Sequence, residues 1–441
     1  MSVKDSILTR FSPVISNATP IKVYGKVTRV IGLVIEGYGP STSIGDLCDI
    51  YSQNNKRSIK AEVVGFKDNK ILLMPLGELR GIKPGDKIIK RENKPNIKTG
   101  EGLLGRVIDG LGEPIDHKGP LYEVEDEYPV YSEPINPLKR KRIAEPLDLG
   151  IRTINGLLTC GKGQRIGILS GTGVGKSVLM SMMARNTEAD INVIGLIGER
   201  GREVKDFIER DLREEGLKRS IVVAATSDQP PLVRMRGAFI ATAIAEYFRD
   251  KGKDVLLMFD SITRFAMAQR EIGLSIGEPP TTKGYPPSVF AILPKLLERG
   301  GAKEGMGSIT GLYTVLVEGD DLSEPISDAV RAILDGHIVL SRSLASQNHY
   351  PAIDVLNSIS RLMIDIISTE HLEVANRFKS VLATYKEAED LINLGAYVSG
   401  SNKDIDFAIK TIDKINHYLR QPIEEAVSLQ ESVDGIKAIF Q

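Results

Sequence analysis

One segment constrains this chain more than any other. An apolar run, Gln164–Leu169, leads into SGTGVGKS at 170–177, and an apolar helical run, Val178–Ala184, follows at once. Strand, glycine-rich loop and helix in immediate succession form the arrangement that a phosphate cradle requires. The loop meets the P-loop pattern at Gly175, Lys176 and Ser177, with Ser170 where the strict pattern has glycine. Gly171, Gly173 and Gly175 let backbone N–H groups turn toward one point, and the helix N-terminus adds its dipole. The expected nucleotide-binding stretch is Gly171, Thr172, Gly173, Val174, Gly175, Lys176, Ser177 and Val178, with Lys176 reaching the outer phosphates and Ser177 ligating Mg²⁺. A glycine-rich turn of no function leaves both flanks unexplained.

The surrounding pattern is that of a parallel α/β sheet. Between Ile151 and about Ser346, further apolar runs alternate with helical stretches: Asn192–Ile197, Ile221–Ala225, Val255–Phe259, Ile309–Val317 and His337–Leu340. Near-continuous Val/Ile/Leu runs are how strands buried on both faces read. The run at 255–259 ends in Asp260, which in a P-loop fold stands at the carboxyl edge of the sheet near the metal. The run at 192–197 leads into Gly198-Glu199-Arg200-Gly201-Arg202-Glu203. A carboxylate there can orient and polarise the water that attacks a terminal phosphate, so Glu199 is the candidate base. The alternative is a solvated charged turn with Glu199 paired to Arg200 or Arg202.

On either side the character changes. From Ile21 to about Arg91 short β segments broken by Gly and Pro, namely Lys22–Val30, Gly32–Glu36, Ile59–Phe66, Lys70–Pro75 and Gly85–Lys90, imply a small barrel or sandwich. Asn93–Arg142 reads as a connecting segment. After Arg361 charged helical spacing takes over, in Leu372–Leu394 and Ile405–Arg420. The expected architecture is therefore multidomain: an N-terminal β-barrel at 1–92, a connecting segment and α/β P-loop domain with a mainly parallel sheet at 93–346, and a helical domain at 347–441.

Composition narrows the class. The 57 basic residues nearly cancel the 58 acidic ones, so overall charge does not advertise a nucleic-acid or anionic membrane partner. The basic run Lys139–Arg142 sits among acidic residues without aromatics and reads as a solvated linker face. Cys48 and Cys160 are far apart, suggesting neither a disulfide framework nor a zinc site, as in a reducing cytosol. The five histidines show no HxxxH or HExxH grouping, so the expected metal is Mg²⁺ held mainly by nucleotide. Met1 to Pro20 lacks a signal-peptide pattern and no stretch is apolar enough for a membrane span, which leads us to expect a soluble cytoplasmic protein.

With those residues placed, the chain resembles the rotary and secretion ATPases, the family that includes the catalytic subunit of ATP synthase and has a RecA-like central domain. GERGREV matches the family's catalytic glutamate at Glu199, and Pro351-Ala352-Ile353-Asp354 through Ser358-Ile359-Ser360 is similar to the family signature. The resemblance implies that Tyr350 stacks on adenine and that Arg361 is the arginine finger. Ala268-Gln269-Arg270-Glu271-Ile272-Gly273-Leu274 and the following GEPPTTKGYPPSVFAILPKLLERGG resemble the type III export ATPases, and Val174 in GVGKS resembles the flagellar form over the injectisome form. What this implies is a homohexamer peripherally at the inner face of the cytoplasmic membrane, beside the membrane export gate. Its partners would be ATP, a stator-like peripheral regulator, a central stalk protein, export chaperones and substrates. The segment Ser2–Thr19 is a candidate dock for the stator partner.

Three other readings compete. A true ATP synthase subunit is opposed by PPTTKGYPP. An RNA translocase would need aromatic platforms in the β module, whereas aromatics make up 5% of the chain and Trp is absent. A non-hydrolysing structural subunit is opposed by Glu199.

Overall fold

The computed structural model describes residues 23–52, 58–91, 95–317, 319 and 321–441. The candidate dock at Ser2–Thr19 lies outside them. The chain separates into two compact units, one ending at Lys94 and one beginning at Pro95.

The first unit is a closed six-stranded barrel. Its strands are β1 (Gly25–Ile31), β2 (Val34–Tyr38), β3 (Leu47–Tyr51), β4 (Ser58–Lys67), β5 (Lys70–Pro75) and β6 (Lys87–Lys90), in the order β1-β2-β5-β4-β3-β6. Closure pairs every strand on both sides and leaves no edge for another chain to extend. The inward positions Val27, Ile35, Ile50, Val63, Leu73 and Ile88 fill the interior. The sequence pattern missed β3 for a physical reason. Asp49 interrupts its apolar run, and that carboxylate is held by Arg91 at 2.8 and 3.0 Å.

The second unit carries a nine-stranded sheet, in which the two-residue strand Gly301–Ala302 pairs antiparallel at one side of Ser308–Leu316 and the other eight strands form one ladder. In chain order the ladder's strands are β7 (Val107–Asp109), β8 (Arg165–Ser170), β9 (Ile191–Ile197), β10 (Ser220–Ala225), β11 (Asp254–Asp260), β12 (Ser308–Leu316), β13 (Gly336–Leu340) and β14 (Ile353–Ser360). They lie in the order β14-β13-β8-β12-β11-β9-β10-β7, all parallel except the antiparallel edge strand β14. Every residue of β9 and of β10 is buried, and each fully buried Leu or Ile there contributes about 1.5–3 kcal/mol.

Helices cover both faces. Helix α1 (Lys176–Asn186) buries Leu179, Met180, Met182 and Met183, while α2 (Pro231–Asp250), rich in Ala and Ile, lies almost wholly inside. They are joined by α3 (Ile262–Ile276) and α4 (Pro325–Ile333), and after β14 and the single helical turn Met363–Ile366 come three long helices, α5 (Thr369–Asn393), α6 (Lys403–Leu419) and α7 (Leu429–Ile439). Each of the last three starts on a side-chain cap: Ser368 accepting from His371, Asn402 from Asp404 and Ile405, and Ser428 in a capping box with Glu431. Among the described residues no helix is long and apolar enough to cross a membrane.

The two edge strands were not read from the sequence. β7 is three residues long inside the connecting segment. β14 is the sheet's outer edge, so only its inward Ile353, Val355 and Ser358 are buried and its outward Leu356, Asn357 and Ile359 are exposed. It lacks the continuous apolar run of a central parallel strand.

Candidate active site

Parallel strands bring their carboxyl ends to one edge of the sheet, and the candidate residues collect there. β8 ends at Ser170, whose carbonyl accepts from Val317 at 2.9 Å. The chain then turns through Gly173 (φ +78°) and Gly175 (φ +86°), left-handed conformations that favour glycine, and enters α1 at Lys176. Val174 is tucked into the core, whereas Thr172, Gly173 and Ser177 are exposed and Val178 is half-buried. The loop is anchored by one apolar side chain and presents its backbone and the Ser177 hydroxyl to solvent.

Two strands further along, β11 delivers Asp260, itself buried. The Lys176 ammonium donates to the Asp260 carboxylate, and Thr314, on the intervening β12, donates its hydroxyl to the same oxygen at 2.7 Å. Leu196 of β9 is in register with Asp260, so the chain leaving β9 passes close by. Gly198 makes the turn (φ +74°); a Cβ there would come within 2.6 Å of Arg264 Cβ, so the glycine is required. Glu199 follows. Arg200 pairs with Glu203 at 3.7 Å and Arg202 with Asp206 at 3.6 Å, so the charged-turn alternative has no support in the contacts. Glu199 instead faces inward, with Oε1 buried and lacking a hydrogen-bond partner. Burial, and next the Asp260 carboxylate, push its pKa up to about 7, against the attraction of Lys176. A carboxylate poised near neutral pH is suited to accepting a proton from water.

Arg264 belongs to this cluster and was not read from the sequence. It stands in the first turn of α3, where the Ser261 hydroxyl accepts from its N–H at 3.3 Å, and its Nε is buried without a partner. A faint signal existed. In Asp260-Ser261-Ile262-Thr263-Arg264 a strand-ending carboxylate is followed by a helix cap, which brings the third helical residue back over the strand ends, and an arginine stands where a capping box would have Glu or Gln.

Tyr350 arrives from the other side. It precedes β14, whose Ile353 is paired with Leu340 in the same row as Ser170. A Cβ placed on Gly175 would lie 3.4 Å from Tyr350 Cδ1 and Cε1, so the ring packs over the loop, 42% exposed. Gln421 donates its N–H to the Tyr350 carbonyl at 3.0 Å, tying the ring's position to the segment after α6.

Arg361 does not join them. It follows β14, whose Ser360 pairs with Gly336, while Ser170 is level with Leu340. Four residues separate those rows, about 13 Å at 3.3 Å per residue, and the P-loop extends away beyond the nearer one. Arg361 is exposed at the opposite edge of the sheet, with Nη2 donating to the Arg331 carbonyl at 3.2 Å. Asp365, four residues on from Arg361, lies 3.7 Å from Arg142.

The geometry can be set beside known proteins. Residues 150–360 match the ATP synthase alpha/beta family nucleotide-binding domain, residues 27–91 its beta-barrel domain, and residues 367–438 the T3SS EscN ATPase C-terminal domain. The chain belongs to the ATP synthase alpha/beta family. Within that family it is 57% identical over 421 residues to the flagellum-specific ATP synthase of Bacillus subtilis, covering 95% of each chain. The assembled ATPase EscN of the enteropathogenic E. coli type III secretion system superposes with a TM-score of 0.89 at 44% identity, covering 95% of this chain and 100% of that one. EscN in complex with its central stalk EscO gives a TM-score of 0.87 at the same identity and coverage. The expected barrel, parallel α/β domain and C-terminal helices are those of this family.

Proposed function

We propose that this chain hydrolyses ATP to ADP and phosphate, at a site completed by a second copy of itself, to energise protein export by a flagellar-type apparatus. The observation that carries the reading is Glu199. A half-buried carboxylate with one buried, unpartnered oxygen and a raised pKa stands at the same sheet edge as Lys176 and Asp260, suited to deprotonating water. With nucleotide in the loop, Lys176 exchanges Asp260 for the outer phosphates, and the backbone N–H groups of 171–178 hold the chain of phosphates in place. Tyr350 supplies a flat face for adenine. The donor set suits Mg²⁺: the Ser177 hydroxyl and the Asp260 carboxylate are hard oxygen ligands, and among the described residues no cluster of three or more His, Cys, Asp or Glu exists to hold a metal alone. When bound with the nucleotide, the ion neutralises phosphate charge. Arg361, at the far edge, serves the nucleotide of a neighbouring protomer, whose transition state gains an always-charged planar donor.

Flagellar over injectisome export is supported by the 57% identity to the Bacillus flagellar enzyme, against 48% to the type 3 secretion system ATPase of Xanthomonas euvesicatoria. That EscN is known assembled and with a central stalk supports a homohexamer with a stalk here. We extend this to a stator-like regulator, chaperones and substrates, and to a position against the membrane export gate. Residues 1–92, 93–346 and 347–441 are the division we assign: barrel, P-loop domain, and a C-terminal segment that supplies Tyr350 and Arg361 beside the sheet before its partner-responsive helices.

The test separates binding from chemistry. Lys176→Ala should weaken both MgATP binding and turnover, whereas Glu199→Gln should bind within a few-fold of wild type and turn over roughly 10²–10⁴ more slowly, the range for a general base. Near-normal turnover by Glu199→Gln removes the proposed chemistry. Restoration of motility in a flagellated strain lacking its own enzyme tests the export role.

A further inference from the structure

Around Arg361 the structure gathers positive charge and provides no countercharge. Arg331 lies in the last turn of α4, His337 is the second residue of β13, and Arg361 directly follows β14. The Gly336–Ser360 and His337–Ile359 pairs hold the two strands in register, and Arg361 Nη2 donates to the Arg331 carbonyl at 3.2 Å, so the three side chains share one end of the sheet. Arg331 Nε is buried with no hydrogen-bond partner. Among the described residues, neither guanidinium forms an ion pair. The nearby carboxylates are engaged elsewhere: Asp335 holds Arg165 at 3.1 Å, Asp365 faces Arg142 at 3.7 Å and Asp354 accepts from Asn357 at 2.8 Å. Asp328, one turn before Arg331 on α4, makes no ion pair with it. The His337 ring nitrogen Nε2 is 3.2 Å from the Asn357 carbonyl, and burial together with Arg331 and Arg361 holds its pKa below the usual histidine range.

A cation in the last turn of a helix is favoured by the dipole, which alone would account for an exposed arginine. It does not account for a partly buried one with an unpaired Nε beside a second unpaired guanidinium, an arrangement that costs stability unless an anion completes it. Resting on the proposal that Arg361 acts across a subunit boundary, we infer that Arg331 is a second cation of that same trans half-site. It acts with Arg361 on the terminal phosphate of the nucleotide held by the neighbouring protomer. Arg331 contributes charge to the anion and its backbone carbonyl fixes the Arg361 fork. His337 stays neutral and pins the bulged β13–β14 edge on which both arginines depend.

The experiment assigns Arg331 to a side of the interface. In the full-length protein, Arg331→Gln should lower kcat about 10–100-fold, the worth of one charge-assisted hydrogen bond, with KM for ATP within about twofold, since the protomer's own P-loop is intact. Arg331→Lys, which keeps the charge, should recover most of that loss; a merely structural role would not discriminate in this way. Mixed with Lys176→Ala, Arg331→Gln should regain activity, because an intact far edge from one parent meets an intact P-loop from the other. Mixed with Arg361→Ala it should gain nothing, because both lesions lie on the same half-site. Wild-type kcat in Arg331→Gln, absence of rescue by Lys176→Ala, or rescue by Arg361→Ala would each overturn the inference. Should Arg331→Gln fail to assemble, the same mixtures with Arg331→Met read the same outcomes. If Arg361→Ala itself retains the wild-type rate, the trans reading fails; if Arg361→Ala is inactive and Arg331→Gln is normal, only this inference does.

Discussion

The two ends of the central sheet are built on opposite electrostatic plans. At the carboxyl ends of the parallel strands, Lys176, Asp260, Thr314, Glu199 and Arg264 interlock, and charges of both signs sit within reach of each other. At the amino ends, beyond the Gly336–Ser360 pair, Arg331 and Arg361 stand together with their neighbouring carboxylates committed elsewhere. We read one end as a nucleotide site whose own cations, Lys176 and Arg264, already stand against Asp260 and Glu199, and which lacks a further one for the transition state. The other is a cation pair that lacks an anion. Each end supplies what the other lacks, yet at least about 13 Å of strand separates them within one chain. The simplest way to join them is to place one chain's far edge against the next chain's P-loop.

Substitutions at the two ends should break that comparison in graded steps. Arg361→Ala should have the largest effect, a loss of about 10³–10⁵ in kcat as for other P-loop arginine fingers, with MgATP affinity unchanged in a nucleotide-binding titration. Glu199 comes next, through pH. Because the base must be ionised, kcat/KM should fall below about pH 7 and level off above it. The sign for stability is opposite to that of a salt-bridged acid. Burial raises the folded pKa from 4.5 to about 7, so the folded state holds the proton more tightly and unfolding free energy declines as pH rises through that window. Glu199→Gln should therefore be more stable than wild type at pH 8, by on the order of 1–3 kcal/mol, and no more stable at pH 4, as read by chemical denaturation.

Smaller effects come from the rim. Tyr350→Ala should raise KM for ATP about 5–30-fold for the lost ring, worth roughly 1–2 kcal/mol, while Tyr350→Phe stays close to wild type; equal effects would assign the role to the hydroxyl. Smallest is Ser170→Ala. The Ser170 hydroxyl is buried without a partner, so its removal should change Tm upward by a degree or two, or not at all, with kcat unaltered.

Much of the P-loop end was legible in the sequence because its parts are local. A glycine-rich loop between strand and helix, an apolar run ending in Asp260 and another ending near Glu199 are each contiguous patterns. Assembly at one edge then follows from the strands being parallel. What escaped detection depended on tertiary pairing. β3 hides behind Asp49, whose charge is neutralised only when Arg91 arrives from beyond β6. β14 alternates as an edge strand does, and β7 is too short for any periodicity. Arg264 and Arg331 sit in helices as ordinary polar residues; only the fold shows that each has a buried nitrogen without a partner. The basic run Lys139–Arg142 shows the reverse. Its most engaged member, Arg140, bonds the Gly300 carbonyl at 2.9 Å and Glu298 at 3.0 Å, holding the connecting segment to the α/β unit.

The central claim, that the two ends of the sheet form one site across two chains, is tested most directly by mixing two inactive proteins. Lys176→Ala lacks a working P-loop and keeps Arg361; Arg361→Ala keeps the P-loop and lacks the far-edge cation. After co-assembly, steady-state ATP hydrolysis should return to a clear fraction of the wild-type rate, greatest near equal proportions and absent from either parent alone. A mixture that remains as inactive as its parents, although co-assembly is verified, or full activity from dilute wild-type monomers, would contradict the shared site.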